Sequence, residues 1–346
     1  MTQSRARALV TLPVVALVLA SCGDSEDSQT AASQESGDLE VVVGFYPLEF
    51  ATNRIVGDLG TVETLTSPGV DPHDTELSPQ SVAGVKSADV VIYSANLQSS
   101  VDAAVEAQAA DHSFDVNEAA DLIEAGDTDE HDHGDEEGHS DEEGEHADED
   151  GHTDEEGHSD EEGEHAEEKH DHGGTDPHFW LDPARMAGVS QAIANELAQV
   201  DPDNADTYQA NAEELVTELT TLKEEYDTGL ASCAQEDLIT THEAFGYIAE
   251  PYGFHQIGIT GLAPDSEPSA ARLAEVSGIV EEVDATTVYS EILLGSDIAE
   301  TVANETGAQV LVLDPIEGVT DASPGEDYVE IMRANLENLR EGQGCS

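Results

Sequence analysis

The sequence predicts an α/β protein with two lobes, each a parallel sheet covered by helices, joined by one long rigid helix. Three observations support this fold class. Short β-branched runs alternate with helical segments from residue 39 to about residue 110. The same alternation resumes at residue 237 and continues to residue 339. Between these blocks, residues 201–230 carry one unbroken apolar stripe, as expected of a single helix.

The chain begins with a targeting segment. Arg5 and Arg7 precede an apolar run at residues 8–20, which has the length of a signal-peptide core and is too short to cross a bilayer comfortably. The run ends in Leu-Ala-Ser-Cys, which resembles a bacterial lipobox. By that resemblance residues 1–21 are removed, Cys22 is lipidated, and residues 22–38 form a flexible tether outside the cytoplasm. The alternative is an ordinary cleaved signal peptide with a chance cysteine.

The first lobe is predicted to span residues 39–200. We expect strands at residues 39–44, 61–66 and 89–94, and helices at about 47–59, 78–87 and 96–110. Such a βαβα order implies a parallel sheet with helices on both faces. His73 follows the second strand in the motif Asp-Pro-His, and ligands of open α/β sheets bind beyond the carboxyl ends of strands.

An acidic, histidine-rich tract interrupts this lobe at about residues 126–174. Residues 127–175 hold 24 acidic residues and one base, and a segment at 136–147 recurs at 155–166. Alanine is the only apolar residue of the repeat, so we expect disorder. Histidines in acidic surroundings indicate weak, multisite metal capture, although a solvated insert without a role remains the alternative. The tract histidines are His131, His133, His139, His146, His152, His158, His165, His170 and His172.

The charge balance excludes one class of partner. The formal net charge is −68, and without the tract 54 acidic residues still face 9 basic ones. Binding to nucleic acid requires Lys and Arg against the phosphates, so we expect no nucleic-acid partner. An acidic surface instead attracts cations, or it reflects adaptation to a salty medium.

Two helices follow the tract. The first is expected at residues 184–200. The second, at 201–230, has Asp201 as N-cap and Pro202 at its first position. At 1.5 Å per residue it is about 40 Å long and can join two lobes. A buried core helix is the alternative. Its apolar stripe consists of Tyr208, Ala212, Leu215, Leu219, Leu222 and Tyr226.

The second lobe is predicted at residues 231–346. We expect strands at 237–241, 256–261, 287–290 and 309–313, and helices at 244–252, 269–283, 296–306 and 327–339. His242 and Asp314 both follow strand ends. Cys233 and Cys345 are an even pair in an oxidising compartment, so we expect a disulfide, with two free thiols as the alternative.

Four residues form the candidate metal site: His73, His178, His242 and Asp314. Two come from each lobe. Three imidazoles and one carboxylate suit Zn²⁺, which is usually four-coordinate. No role is assigned to His112 or His255, which we expect in core or surface positions.

The motifs that hold these residues resemble the zinc/manganese solute-binding lipoproteins of ABC importers (the cluster A-I type). They are Val-Asp-Pro-His at 70–73, Asp-Pro-His-Phe-Trp-Leu-Asp-Pro at 176–183, Thr-His-Glu-Ala-Phe-Gly-Tyr at 241–247 and Val-Leu-Asp-Pro at 312–315. The resemblance implies two α/β lobes joined by one long helix, with the metal in the inter-lobe cleft. In manganese-preferring members a glutamate replaces the third histidine, so His242 implies Zn²⁺ rather than Mn²⁺. Asp314 matches the fourth ligand, with water or Glu291 as alternatives.

The resemblance implies capture of Zn²⁺ and delivery to a membrane permease powered by a cytoplasmic ATPase. We expect a monomer attached to lipid through Cys22. A zinc hydrolase is the rival class, but the run at residues 242–246 is not His-Glu-x-x-His, and no other catalytic arrangement is evident, so we expect no enzyme. A surface adhesin or a metal buffer is the third class.

Overall fold

The computed structural model describes residues 38–125, 174–263 and 267–346. The signal peptide, Cys22, the tether and the nine tract histidines lie outside the described residues, so the predictions made for them stay predictions. No helix among the described residues is long and apolar enough to cross a membrane.

The first lobe contains a four-stranded parallel sheet in the order β2-β1-β3-β4. Its strands are β1 (Leu39–Val43), β2 (Gly60–Thr64), β3 (Val90–Tyr93) and β4 (Ser113–Asp115). Its helices are α1 (Tyr46–Val56), α2 (Pro79–Ser87), α3 (Ser99–Gln108) and α4 (Asn117–Ala120). Central β1 is apolar at four of its five positions because both of its faces are covered.

Two helices connect the sheets: α5 (Pro183–Val200) and the 25-residue α6 (Ala205–Gly229). The predicted stripe of six apolar residues is the buried face of α6. This face packs on α5, and α6 also contacts α1 of the first lobe.

The second lobe repeats the architecture with strand order β6-β5-β7-β8, again all parallel. Its strands are β5 (Asp237–Thr240), β6 (His255–Gly258), β7 (Thr287–Ser290) and β8 (Gln309–Val312). Its helices are α7 (Gly246–Tyr252), α8 (Ala270–Glu282), α9 (Asp297–Thr306) and α10 (Tyr328–Gly342). The closing helix α10 packs on α6, so the long helix contacts both lobes.

Cys233 and Cys345 form the predicted disulfide. Cys233 lies just after α6 and Cys345 just after α10, so the bond fastens the end of the chain to the end of the connecting helix.

The predicted two-lobe α/β fold is confirmed, with two elements added. The strand β4 and the helix α4 are three and four residues long, too short to show a period in the sequence.

Candidate metal centre

Four loops, two from each lobe, bring three imidazoles and one carboxylate together. His73 lies in the 3₁₀ turn Pro72–Asp74 after β2, and His178 immediately precedes the 3₁₀ turn Phe179–Leu181. His242 follows β5, and Glu317 follows β8. One possible ligand atom from each of these residues lies within 4.8 Å of all the others. Because parallel strands end at the same sheet edge, both lobes present their loops to one point.

Four of the six distances among the donor atoms are close to those of a tetrahedral site. Oε1 of Glu317 lies 3.3 Å from Nε2 of His73, 3.4 Å from Nε2 of His178 and 3.7 Å from Nε2 of His242. The Nε2 atoms of His73 and His178 are 3.4 Å apart. Four donors about 2.0–2.1 Å from one Zn²⁺ would be separated by about 3.3–3.4 Å. The arrangement therefore already approximates the spacing of zinc ligands.

Burial makes this arrangement unfavourable without a cation. His178 and His242 are fully buried, and Glu317 is 1% exposed. Nε2 of His242 and Oε1 of Glu317 have no hydrogen-bond partner in the described part of the chain. A buried polar atom without a partner is costly, and a divalent cation would satisfy both atoms at once. The donor set therefore fits a metal ion by geometry and by chemistry.

Carboxylates behind two of the imidazoles determine which ring nitrogen faces the centre. Oδ1 of Asp176 accepts hydrogen bonds from the backbone N–H of His178 at 2.9 Å and from its Nδ1 at 2.7 Å. Glu291 does the same for His242 with its two oxygens, at 2.9 Å to the backbone N–H and 2.5 Å to Nδ1. Each pair fixes the ring direction and leaves Nε2 available as a ligand.

Glu291 therefore supports a ligand from behind, and the structure does not place it among the converging donors. On the first histidine loop, Asp71 accepts a hydrogen bond from the backbone N–H of His73 at 2.8 Å. That bond shapes the turn on which the imidazole is carried.

Burial and neighbouring charge act in opposite directions on the imidazoles. Burial lowers the pKa of His178, but Asp176 and Glu317 outweigh it, so that the pKa is raised. Burial likewise lowers the pKa of His242, but Glu291 and Glu317 raise it well above its usual value. Burial alone would raise the pKa of Glu317, yet the neighbouring imidazoles of His178, His242 and His73 hold that pKa well below its usual range. Without metal, these directions favour a proton on His178 and on His242 beside an ionised Glu317.

Asp314 does not take the predicted place among these donors, and Glu317, three residues later, does. Asp314 is buried, and its Oδ1 accepts a hydrogen bond from the backbone N–H of Ile316 at 2.8 Å. Burial, with the charges of Glu317 and Glu291, raises the pKa of Asp314 to about 7. The carboxylate of Asp314 thus shapes the turn, while that of Glu317 reaches the centre. The Asp-Pro motif drew attention to this loop, and in the structure it is Glu317, not Asp314, that lies among the converging donors.

A contact between the lobes explains why the third motif continues to Gly-Tyr. A Cβ atom built on Gly246 would lie 2.6 Å from Oδ2 of Asp176, so a side chain there would push the two loops apart. The hydroxyl of Tyr247 donates to the carbonyl of Asp176 at 2.7 Å and accepts from the backbone N–H of Ile123 at 3.0 Å. The segment after His242 is thereby fastened to the loop that carries His178.

The remaining described histidines lie apart from the centre. Nε2 of His112 lies 3.1 Å from the carbonyl of Val85, and the side chain of His255 is 73% exposed, 3.6 Å from Asp237. Neither belongs to the group of converging donors.

A fold of two α/β lobes with a buried set of converging donor atoms between them defines a solute-binding protein for a metal ion. Residues 41–342 match the family described as zinc-uptake complex component A, periplasmic (ZnuA), and the chain belongs to that family. Its sequence is 33% identical over 329 residues to the high-affinity zinc uptake system protein ZnuA of Bacillus subtilis (strain 168). That match covers 94% of this chain and 93% of the relative.

Other relatives are longer. The zinc-binding lipoprotein AdcA of Streptococcus pneumoniae (strain ATCC BAA-255 / R6) is 32% identical over 336 residues, which cover 96% of this chain but 60% of AdcA. The chain therefore spans about three fifths of that relative's length.

Solved structures agree with the fold. Zn(II)-bound AdcA from Streptococcus pneumoniae superposes with a TM-score of 0.68 at 28% identity, over 89% of this chain and 58% of that one. The laminin binding protein Lmb of Streptococcus agalactiae is described as bifunctional, with adhesin and metal transporting activity. It superposes with a TM-score of 0.68 at 26% identity, over 88% of this chain and 99% of that one. The predicted family and its two-lobe fold are confirmed.

Proposed function

We propose that this chain is an extracytoplasmic receptor that captures Zn²⁺ in the cleft between its lobes and delivers it to an ABC importer. One observation supports the proposal above the others: Nε2 atoms of three histidines lie 3.3–3.7 Å from one buried oxygen of Glu317. The ligands proposed are His73, His178, His242 and Glu317. Zn²⁺ is the cargo here, so the site must bind it tightly and later release it.

The donor types favour Zn²⁺ over Mn²⁺. Imidazole nitrogens suit zinc, whereas carboxylates, carbonyls and water suit manganese. Only one of the four converging donors is a carboxylate. The number of converging donors, four, also matches the coordination that zinc adopts in closed protein sites.

A complete set of four protein ligands is the reason to treat the chain as a carrier and not as an enzyme. Catalytic zinc sites keep one position for water or substrate, and here Glu317 would fill it. The same argument disfavours a zinc hydrolase in which Glu243, the neighbour of His242 in the sequence, would act as the base.

The finer assignments concern anchoring and partners. We propose that acylated Cys22 attaches the receptor to the cell membrane and that a permease and its cytoplasmic ATPase accept the ion. The lipobox-like sequence at residues 19–22 supports the anchor. The lobes carry the complete donor set in one chain, which supports action as a monomer.

The test is a competitive metal titration of the full-length protein in mild detergent, with a zinc chelator of known affinity and separately with Mn²⁺. We expect one tight Zn²⁺ equivalent, a much weaker response to Mn²⁺, and a loss of affinity of at least tenfold in His242→Ala. His255→Ala is the matched control, because that exposed histidine lies outside the centre and its loss should leave the affinity unchanged.

Two results would contradict the assignment. Tight binding of Mn²⁺ with weak binding of Zn²⁺ would contradict the choice of metal but not the role as a receptor of a metal importer. Unchanged tight zinc binding in His242→Ala would remove the cleft as the site.

A further inference from the structure

The loop that carries Glu317 contains a strained residue. Ile316 has a φ of 59°, in the left-handed region, and is fully buried. A β-branched side chain at positive φ is an outlier, and it persists only where the surroundings hold it in place. Since Ile316 directly precedes Glu317, its conformation sets the direction in which the backbone enters Glu317.

Hydrogen bonds hold the two residues before Ile316. Oδ1 of Asp314 accepts from the backbone N–H of Ile316 at 2.8 Å, across the turn. The side chain of Asn335, on α10, bonds both sides of the Asp314 backbone: its Oδ1 accepts from the N–H at 2.9 Å and its Nδ2 donates to the carbonyl at 2.7 Å. The indole N–H of Trp180 donates to the carbonyl of Pro315 at 2.7 Å.

These partners connect the turn to the rest of the site. Trp180 lies two residues after His178, and Asn335 is fully buried in the closing helix. The backbone before Ile316 is therefore fixed from both sides. Among the residues that the structure describes, the carboxylate of Asp314 is the acceptor for the N–H of the strained residue itself.

We propose that Asp314 is a positioning residue, which holds the left-handed turn at Ile316 and thereby aims Glu317 at the three imidazoles. This inference rests on the proposed zinc site and adds a residue that determines its fourth ligand. Asp314 does not itself bind the ion. Without the acceptor at residue 314, the turn relaxes, Glu317 moves away from the histidines, and water takes the fourth position.

The role predicts a distinct pattern among variants. Asp314→Asn keeps a side-chain oxygen that can accept from the N–H of Ile316, so it should bind Zn²⁺ within about threefold of the wild type. Asp314→Ala removes the acceptor and should weaken binding about 10- to 100-fold, as loss of outer-shell partners does in metal sites. Because Asp314 acts through Glu317, Asp314→Ala combined with Glu317→Ala should bind no more weakly than Glu317→Ala alone.

The experiment measures the zinc Kd of these full-length variants by chelator competition and records the visible absorption of their Co²⁺ forms. Co²⁺ reports the coordination geometry, so the spectrum of Asp314→Ala should match that of Glu317→Ala, while Asp314→Asn should match the wild type. Should Asp314→Ala not fold, Asp314→Leu takes its place, because leucine has the same branched shape, fills the site left by the carboxylate and offers no acceptor.

Asn338→Ala is the matched control. Asn338 lies one turn after Asn335 on α10 and donates to the carbonyl of Val312 at 2.8 Å. Its loss should lower stability without changing the zinc Kd or the Co²⁺ spectrum.

Three outcomes would overturn the inference: full affinity in both Asp314→Ala and Asp314→Leu, equal weakening by Asp314→Asn and Asp314→Ala, or additive losses in the double variant. The second of these would make Asp314 a ligand. Absence of tight zinc binding in the wild type would instead refute the proposed function, so the two failures are distinguishable.

Discussion

Single carboxylates organise this site as much as the histidines do. Asp176 and Glu291 each bond one histidine twice, once through the backbone N–H and once through Nδ1. Two bonds from one carboxyl group fix both the loop and the ring, so His178 and His242 are oriented before an ion arrives. Such pre-organisation lowers the entropy lost when the ion binds.

The raised pKa values of His178 and His242 predict that zinc affinity falls with pH. Zn²⁺ binds neutral imidazole, so it must displace any proton held by these rings. Because the carboxylates raise both pKa values above about 6.5, the loss should already begin above that pH. Below the raised values, affinity should drop about tenfold per pH unit for each proton displaced. Chelator competition between pH 8.5 and 5.5, corrected for protonation of the chelator, measures this slope.

In the zinc-free protein, the stability of the fold should change with pH in the opposite direction to the zinc affinity. A histidine whose pKa is raised by folding adds stability that is fully present below the unfolded pKa of about 6.5 and is lost as the pH rises through the folded value. His178 and His242 should therefore stabilise the metal-free fold at acidic pH, where zinc binding is weakest. A zinc Kd that stays constant between pH 8.5 and 5.5 would contradict both expectations.

The histidines were predictable and Glu317 was not, for a physical reason. His73 and His242 follow strand ends, where the topology of parallel sheets places ligands. Glu317 owes its direction to the left-handed turn at Ile316, a conformation that isoleucine disfavours and that no sequence pattern announces. The turn is fixed by tertiary partners such as Trp180, which lies far away in the sequence.

At the scale of the secondary-structure elements, long elements could be predicted from the sequence and very short ones could not. The 25-residue α6 repeats its apolar period over many turns, and every residue of the predicted stripe is buried. The short β4 continues the first sheet by pairing with β3, and its residues are only half-buried. Three residues are too few for an alternation of polar and apolar side chains to be distinguished from a loop, so the pairing with β3 is what identifies β4 as a strand.

The disulfide between the ends of α6 and α10 predicts a large, site-independent contribution to stability. Cys233 and Cys345 are separated by 112 residues. A closed loop of this length lowers the entropy of the unfolded chain, and the chain-entropy model assigns this effect about 4–5 kcal/mol. The double variant Cys233→Ser/Cys345→Ser should lower the free energy of unfolding in urea by an amount approaching this value.

Zinc affinity provides the control for that variant, because neither cysteine belongs to the converging donors. We expect the folded double variant to keep the wild-type zinc Kd. An unchanged urea midpoint would show that the bond does not constrain the unfolded chain as proposed.

At the scale of the whole molecule, one hydrophobic cluster extends through both lobes. Phe50 of α1 stacks on Tyr328 of α10, with ring centroids 5.2 Å apart. Trp180 packs against Phe45 at 4.8 Å and donates across to Pro315. These contacts and α6 connect the lobes behind the metal centre, so release of the ion is expected to involve small loop movements and not wide separation of the lobes.

The segments on the two sides of the histidine tract are hydrogen-bonded to each other. The backbone N–H of Ala125 donates to the carbonyl of Gly174 at 2.9 Å, and that of Asp176 to the carbonyl of Ile123 at 3.0 Å. Glu124 and Thr175 also form an antiparallel bridge. The two points where the tract leaves the fold are therefore adjacent, and a short glycine linker can join them.

Removal of residues 126–173 should lower the zinc capacity and spare the tight site. All four proposed ligands lie on loops outside the tract, so the deletion variant should keep one tight Zn²⁺ equivalent with an affinity within about threefold of the wild type. The weaker equivalents should disappear, because they are assigned to the nine tract histidines. Calorimetric titration with and without a chelator separates the two classes.

A full-length variant with all nine histidines changed to serine is the matched control, since it keeps the acidic residues and should lose most of the same weak equivalents. Carboxylates alone would account for the weak sites if that control kept them, and loss of the tight equivalent in the deletion variant would show that the tract contributes to the central site.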